Sequence, residues 1–86
     1  MKKILLTGGT GYIGSHVCIE LLNNGYQVFV IDNLSNSSKH VLSQIEAITG
    51  RNVTFFENDV RDKLSLIKIF KKHSFDCVIH LAGLKS

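Results

Sequence analysis

The chain alternates between two patterns of apolar residues. Short apolar runs containing β-branched residues are separated by stretches in which apolar residues recur every three or four positions. Runs that are apolar on both faces are typical of strands in a parallel sheet covered on both sides, whereas the longer repeat is typical of amphipathic helices. The runs predict strands over residues 2–6, 27–32, 52–57 and 76–83.

A helix is predicted in each interval between these strands, with an apolar stripe that is expected to face the core. Ser37 or Ser38 can cap the N terminus of the second helix, and Asp62 can cap that of the third. Gly50 suits the position just beyond the end of the second helix. The core-facing positions are expected to be Ile13, Val17 and Leu21 in the first helix, Val41, Ile45 and Ile48 in the second, and Leu64, Ile67 and Phe70 in the third.

The order of these elements, βαβαβαβ, determines the predicted fold class. Right-handed crossovers between successive parallel strands give an α/β fold with a doubly wound parallel sheet, in the strand order 3-2-1-4. No repeat, linker or low-complexity segment divides the 86 residues, so no internal domain boundary is predicted. No apolar run approaches the roughly 20 residues that a membrane-spanning helix needs, so no membrane association is expected.

The sequence TGGTGYIGSH, residues 7–16, concentrates four glycines between the first predicted strand and the first predicted helix. The first backbone N–H groups of a helix have no partner within it, and a turn without side chains lets a pyrophosphate approach them. The glycines fit two spacings, one beginning at Gly9 and one at Gly8, and both retain Gly11 at the phosphates and Gly14 on the helix face near the strand. This position predicts a dinucleotide site in a Rossmann-type fold, and a glycine-rich turn without a ligand is the alternative.

Asp32 supplies an independent indication of the same ligand. It lies at the end of the second predicted strand, 21 residues after Gly11. A carboxylate at this place can accept hydrogen bonds from both hydroxyls of the adenosine ribose and would repel a 2′-phosphate. Because no arginine lies nearby, NAD is the predicted cofactor in preference to NADP. The alternative is that Asp32 only shapes the turn in DNLSNSS.

The segments TGGTGYIGSH, DNLSNSS, NDVRD and VIHLAGLKS together resemble the start of the extended short-chain dehydrogenase/reductase family, over all 86 positions. The later segments are most similar to members that invert C4 of a UDP-sugar through a transient 4-keto intermediate. The resemblance implies that Tyr12 and Ile13 offer backbone N–H groups to the pyrophosphate. It also implies contacts to the rest of NAD from three loops: Asn33, Leu34, Ser35, Asn36 and Ser37 around the adenosine, Asp59 and Val60 at the adenine edge, and Leu81, Ala82, Gly83, Leu84 and Lys85 beneath the middle of the cofactor.

The resemblance further implies that residues 1–86 are the N-terminal part of an NAD-binding domain of an isomerase that acts on UDP-sugars. The proton relay of the family, a serine or threonine and a Tyr-x-x-x-Lys sequence, is expected beyond residue 86, together with the sugar-nucleotide domain. No catalytic residue is therefore assigned, and the 86-residue chain alone is predicted to be inactive. Two alternatives stay open: a free-standing dinucleotide-binding or regulatory module, and a fragment of another nucleotide-sugar epimerase or dehydratase.

Composition and charge restrict the partners. The net charge of +3 is modest, and the lysines on the third predicted helix favour a solvated helix face over a nucleic-acid site. Cys18 and Cys77 are expected to be buried thiols, which indicates a reducing, cytoplasmic location.

His80 lies within a predicted strand and is expected to be a packed core imidazole, and no metal site is predicted. The fourth strand ends the predicted sheet, so self-association, as a homodimer or less regularly, is expected.

Overall fold

Strands and helices alternate along the chain as the apolar pattern predicts. The computed structural model describes residues 1–8, 12–32, 38–58 and 61–81, and at positions 12, 38 and 39 it describes the backbone alone. All strand pairs are parallel and the sheet order is 3-2-1-4, which confirms the predicted Rossmann-type α/β fold. The elements are β1 (Lys3–Thr7), α1 (Tyr12–Asn23), β2 (Gln27–Asp32), α2 (Ser38–Thr49), β3 (Thr54–Glu57), α3 (Lys63–Lys72) and β4 (Cys77–His80).

The two central strands, β1 and β2, are buried on both faces of the sheet. Successive side chains of a strand point to opposite faces, so each strand contributes to two cores. This double burial is why the runs in β1 and β2 are continuously apolar and do not alternate with polar residues. The buried residues are Ile4, Leu6, Cys18, Leu22, Val28, Val30 and Ile45 between the sheet and the pair α1 and α2, and Leu5, Phe29, Ile31 and Ile69 between the sheet and α3.

The helix ends follow the predicted capping residues. Asp62 caps α3, because its Oδ1 accepts a hydrogen bond from the Ser65 N–H at 3.3 Å and its Oδ2 accepts one from the Ser65 hydroxyl at 2.8 Å. Gly50 follows α2 with φ of +69°, a left-handed conformation that glycine adopts without strain. None of the described helices is long and apolar enough to cross a membrane.

In α1 and α3 the buried stripe differs from the predicted one, whereas in α2 the predicted Ile45 is buried. In α1 the buried positions are Gly14, Cys18 and Leu22, each one residue beyond a predicted position, and Ile13 is exposed. In α3 the buried residue is Ile69. Each helix carries apolar residues on neighbouring stripes about 100° apart, and the way the helix crosses the sheet decides which stripe packs. Of the predicted core positions, Ile45 is buried and Val17, Leu21 and Val41 are partly buried, whereas Ile13, Ile48, Leu64, Ile67 and Phe70 are exposed.

The strand bounds also differ in part from the predicted runs. The predicted bounds of β2 are confirmed, whereas β1 is displaced by one residue to Lys3–Thr7. The outer strands are shorter than their runs, since β3 pairs over Thr54–Glu57 and β4 pairs over Cys77–His80. An apolar run therefore marks where a strand lies, but the hydrogen-bonded ladder sets its length.

Candidate functional site

The carboxyl ends of the strands meet at one edge of the sheet, as parallel pairing requires. The first residue after β1, after β3 and after β4 is fixed there by a backbone hydrogen bond to the neighbouring strand. In open α/β sheets, ligands bind outside this edge. The bonds run from the Gly8 N–H to the Ile31 carbonyl at 2.8 Å, from the Asn58 N–H to the Asp32 carbonyl at 3.0 Å, and from the Leu81 N–H to the Thr7 carbonyl at 2.8 Å.

Gly8 begins the turn that joins β1 to α1. Its φ of +80° lies in the left-handed region, where a residue with a side chain is strained by about 1–2 kcal/mol. The backbone conformation therefore favours glycine at position 8, the first glycine of the spacing that begins there. Gly9, the first member of the other spacing, and Gly11, which both spacings share, lie outside the described residues.

The N terminus of α1 follows this turn. The helix begins at Tyr12, so the backbone groups of Tyr12 and Ile13 belong to its first turn, where N–H groups have no partner within the helix. Gly14 is buried on the same stripe as Cys18 and Leu22, which pack against the sheet. This burial agrees with the predicted position of Gly14 on the helix face near the strand.

Asp32 is the last residue of β2, where the sequence places the ribose-binding carboxylate. Thr7 and Ile31 are partners in the ladder between β1 and β2, so the next residues along the two strands, Gly8 and Asp32, also lie side by side. Asp32 is half-buried. The structure thus brings the predicted carboxylate next to the predicted glycine turn, and the ribose contact itself stays a prediction.

Most of the other predicted site residues lie outside the described residues. They lie in segments of the chain that begin directly after a strand or after the first loop residue that follows a strand. Leu81 is described and half-buried, held by its bond to Thr7. The predicted residues outside the described ranges are Gly11, Asn33, Leu34, Ser35, Asn36, Ser37, Asp59, Val60, Ala82, Gly83, Leu84 and Lys85.

A side-chain pair at the same edge was not predicted. Thr7 Oγ1 and His80 Nδ1 lie 2.5 Å apart, within hydrogen-bond distance, and join β1 to β4. The prediction that His80 is a packed core imidazole is wrong, because its side chain is exposed. An edge strand is covered on fewer sides than a central one, so an imidazole near its end reaches solvent. The signal that could have identified the pair is the register, in which the two last strand residues, Thr7 and His80, are direct partners.

The cysteines differ in their surroundings. Both are free thiols, as predicted, but only Cys18 is buried, and Cys77 is exposed on β4. Burial raises the pKa of the Cys18 thiol to about 11, because the thiolate would lose its hydration. Among the described residues, no three histidine, cysteine or acidic side chains lie close enough together to hold a metal ion.

Solved structures of epimerases resemble nearly the whole chain. The UDP-glucose 4-epimerase from Bifidobacterium longum, in complex with NAD+ and UDP, is 46% identical with a TM-score of 0.91, covering 99% of this chain and 25% of that one. The enzyme from Stenotrophomonas maltophila, with bound NAD and formylated UDP-arabinopyranose, is 42% identical with a TM-score of 0.91, covering 100% of this chain and 26% of that one. The UDP-glucose 4-epimerase of Bacillus subtilis is 52% identical over 83 residues, which are 96% of this chain and 24% of that protein. The chain thus spans about a quarter of the length of these relatives.

A family profile indicates the same relationship between this chain and nucleotide-sugar enzymes at a coarser level. The profile of the GDP-mannose 4,6 dehydratase family matches residues 5–86, a range that contains α1 and every later element. The match is therefore not limited to the glycine turn. Together with the relatives, it confirms the resemblance that the four sequence segments indicate. The chain belongs to the GDP-mannose 4,6 dehydratase family.

Proposed function

We propose that this chain is the NAD-binding N-terminal part of a UDP-glucose 4-epimerase, which interconverts UDP-glucose and UDP-galactose. The observation that carries the proposal is the similarity of 99% of the chain, with a TM-score of 0.91 and 46% identity, to an epimerase in complex with NAD+ and UDP. The 52% identity to the Bacillus subtilis epimerase supports the same assignment.

The described residues fit a dinucleotide. Gly8 has a left-handed backbone that a side chain would strain, so the chain leaves β1 through a residue with no side chain to keep a ligand from its backbone. The first turn of α1 supplies N–H groups that have no partner within the helix, at the positive end of the helix dipole, which favours a pyrophosphate. Asp32, beside Gly8, supplies a carboxylate at the distance along the sequence that a ribose contact requires.

In this proposal the chain contributes cofactor binding and not proton transfer. NAD, when bound, would accept a hydride from C4 of the sugar and return it. The turn and Asp32 would hold and orient the dinucleotide at the carboxyl edge. Neither tyrosine begins a Tyr-x-x-x-Lys sequence, since the residue four positions after Tyr12 is His16 and the residue four positions after Tyr26 is Val30. The 86-residue chain by itself is therefore expected to bind NAD without epimerising UDP-galactose.

We place the protein in the cytoplasm. Both cysteines are free thiols, and one of them is exposed on β4. Exposed free thiols persist in the reducing cytosol, whereas oxidising compartments favour disulfides. Self-association through the edge strand β4 belongs to the same proposal.

The choice of cofactor tests the proposal. Calorimetric titration should show at least tenfold tighter binding of NAD than of NADP, because the Asp32 carboxylate would repel a 2′-phosphate. Asp32→Ala should weaken NAD binding by roughly 10- to 100-fold, the range expected when hydrogen bonds to a charged group are lost. It should also remove most of the preference for NAD.

A matched control separates this contact from a general loss of negative charge. Glu57 is exposed, ends β3 and is the ladder partner of Asp32, so Glu57→Ala removes a carboxylate from the same edge. Its NAD affinity should stay close to that of the unmodified chain. Equal affinities for both cofactors, unchanged by Asp32→Ala, would exclude the ribose contact. A chain that binds no NAD would overturn the proposal.

A further inference from the structure

The ends of β1 and β4 are joined twice, by the backbone and by side chains. The Leu81 N–H donates to the Thr7 carbonyl at 2.8 Å, and Thr7 Oγ1 lies 2.5 Å from His80 Nδ1. Thr7 therefore contacts two consecutive residues of the neighbouring chain segment. A single hydrogen bond lets a strand end rotate about it, whereas two bonds to adjacent residues fix both the distance and the orientation.

The surroundings of the pair make the hydrogen bond between the two side chains important for holding β4 against β1. Thr7 is only 7% exposed, so its hydroxyl needs a partner within the protein. On β4 the side chains of Cys77, Val78 and His80 are exposed, and Ile79 is the strand residue that packs against the core. With so little burial to hold β4, its carboxyl end depends strongly on hydrogen bonds to β1.

The residues that follow the pair are those to which cofactor binding is proposed. Gly8, with its left-handed backbone, comes directly after Thr7, and Leu81 comes directly after His80. We propose that Thr7 and His80 form a positioning pair, which sets the distance between Gly8 after β1 and Leu81 after β4 and so shapes the dinucleotide site. This inference rests on the proposed function, because it assigns the two loops to one ligand.

The chemistry of the pair suggests how to test it. A threonine hydroxyl both donates and accepts, so it can bond to a ring nitrogen in either tautomer and equally to an amide. Asparagine places a polar atom the same number of bonds from Cα as Nδ1, whereas glutamine places it one bond further. Serine retains the hydroxyl of threonine, and valine has a similar shape without it. NAD affinity that is retained in His80→Asn and in Thr7→Ser, but not in His80→Gln, would therefore show that the hydrogen bond itself is required.

The experiment measures NAD affinity of the 86-residue chain by calorimetry, with the fold of each variant checked by circular dichroism. Thr7→Val and His80→Leu should each weaken NAD binding by about fivefold to tenfold, the effect of one lost hydrogen bond. The double variant should be no weaker than either single one, because both substitutions remove the same interaction. Thr7→Ser and His80→Asn should restore affinity to within about twofold, and Thr54→Val, at the start of β3, serves as the matched control and should have no effect.

Amide hydrogen exchange provides a second readout. Loss of the pair should speed the exchange of the Leu81 N–H more than that of the Asn58 N–H, which bonds to β2 instead. Unchanged affinity in both single variants, additive effects in the double variant, or failure of both rescues would overturn the positioning role while leaving the proposed function intact. Absence of NAD binding by the unmodified chain would overturn the proposed function, and the role of the pair with it.

Discussion

Gly8 determines how the chain leaves β1, and a single methyl group tests this. Gly8→Ala should destabilise the fold by about 1 kcal/mol, since φ of +80° strains a residue with a side chain. Gly50→Ala is the matched control, because Gly50 has φ of +69° at the far end of α2 and no atom within 4 Å of an added Cβ. Both variants should lose similar stability in urea unfolding, but only Gly8→Ala should weaken NAD binding. Equal effects on affinity would show that the turn has no special part in binding.

Cys18 makes the stability of the fold sensitive to alkaline pH. Burial raises the pKa of its thiol from 9.0 to about 11, so between these values the unfolded chain has lost the proton that the folded chain keeps. Deprotonation therefore favours unfolding, and the contribution present below pH 9.0 should be lost as the pH rises toward 11, by about 2 kcal/mol in total. Urea unfolding across this range should show a steeper decline for the unmodified chain than for Cys18→Ala. Cys77→Ala, which removes an exposed thiol, should keep the slope of the unmodified chain.

At the scale of elements, the sequence predicts which elements form but not, in α1 and α3, which stripe of the helix packs. Asp62 and Gly50 are local signals, because a cap depends on residues within one turn, and both predicted helix ends are confirmed. The packed stripe of α3 depends on a core that it shares with Leu5, Phe29 and Ile31, which are far away in the sequence. Spacing alone favours Leu64 and Ile67, whereas the sheet buries Ile69.

The candidate site divides in the same way between local and distant signals. The placement of Asp32 and Gly8 could be predicted, because it follows from local position at the end of a strand and at the start of a turn, and their contacts with a cofactor stay predictions. The pair of Thr7 and His80 could not, because its two members are 73 residues apart and meet only through the strand register. The apolar run favours a core position for His80, whereas the predicted strand order, which places the fourth strand at the edge of the sheet, favours exposure to solvent.

At the scale of the whole molecule, the sheet face that carries α3 leaves apolar side chains in contact with solvent. Leu64 is 74% exposed and Phe70 is 46% exposed on α3, and Val78 is 47% exposed on β4. Val78 belongs to this face because its neighbour Ile79 packs into the opposite core. A chain of this size buries only about 60–65% of its unfolded surface, so exposed apolar area of this kind favours association over a monomer.

The position of β4 predicts which surface a second copy would contact. Among the described strands β4 pairs with β1 alone, so its other edge presents backbone groups to which a second copy can pair, while Val78 supplies an apolar contact beside them. Sedimentation over a concentration series should show reversible self-association of the unmodified chain. Val78→Lys should shift the equilibrium toward monomer, because a charged side chain on an edge strand opposes pairing with another strand. Ile48→Lys adds the same charge at a residue that is 66% exposed on α2, and it should leave the association unchanged. A monomer at every concentration, or equal effects of the two lysines, would show that β4 is not the contact, since only one of these charges lies on the edge strand.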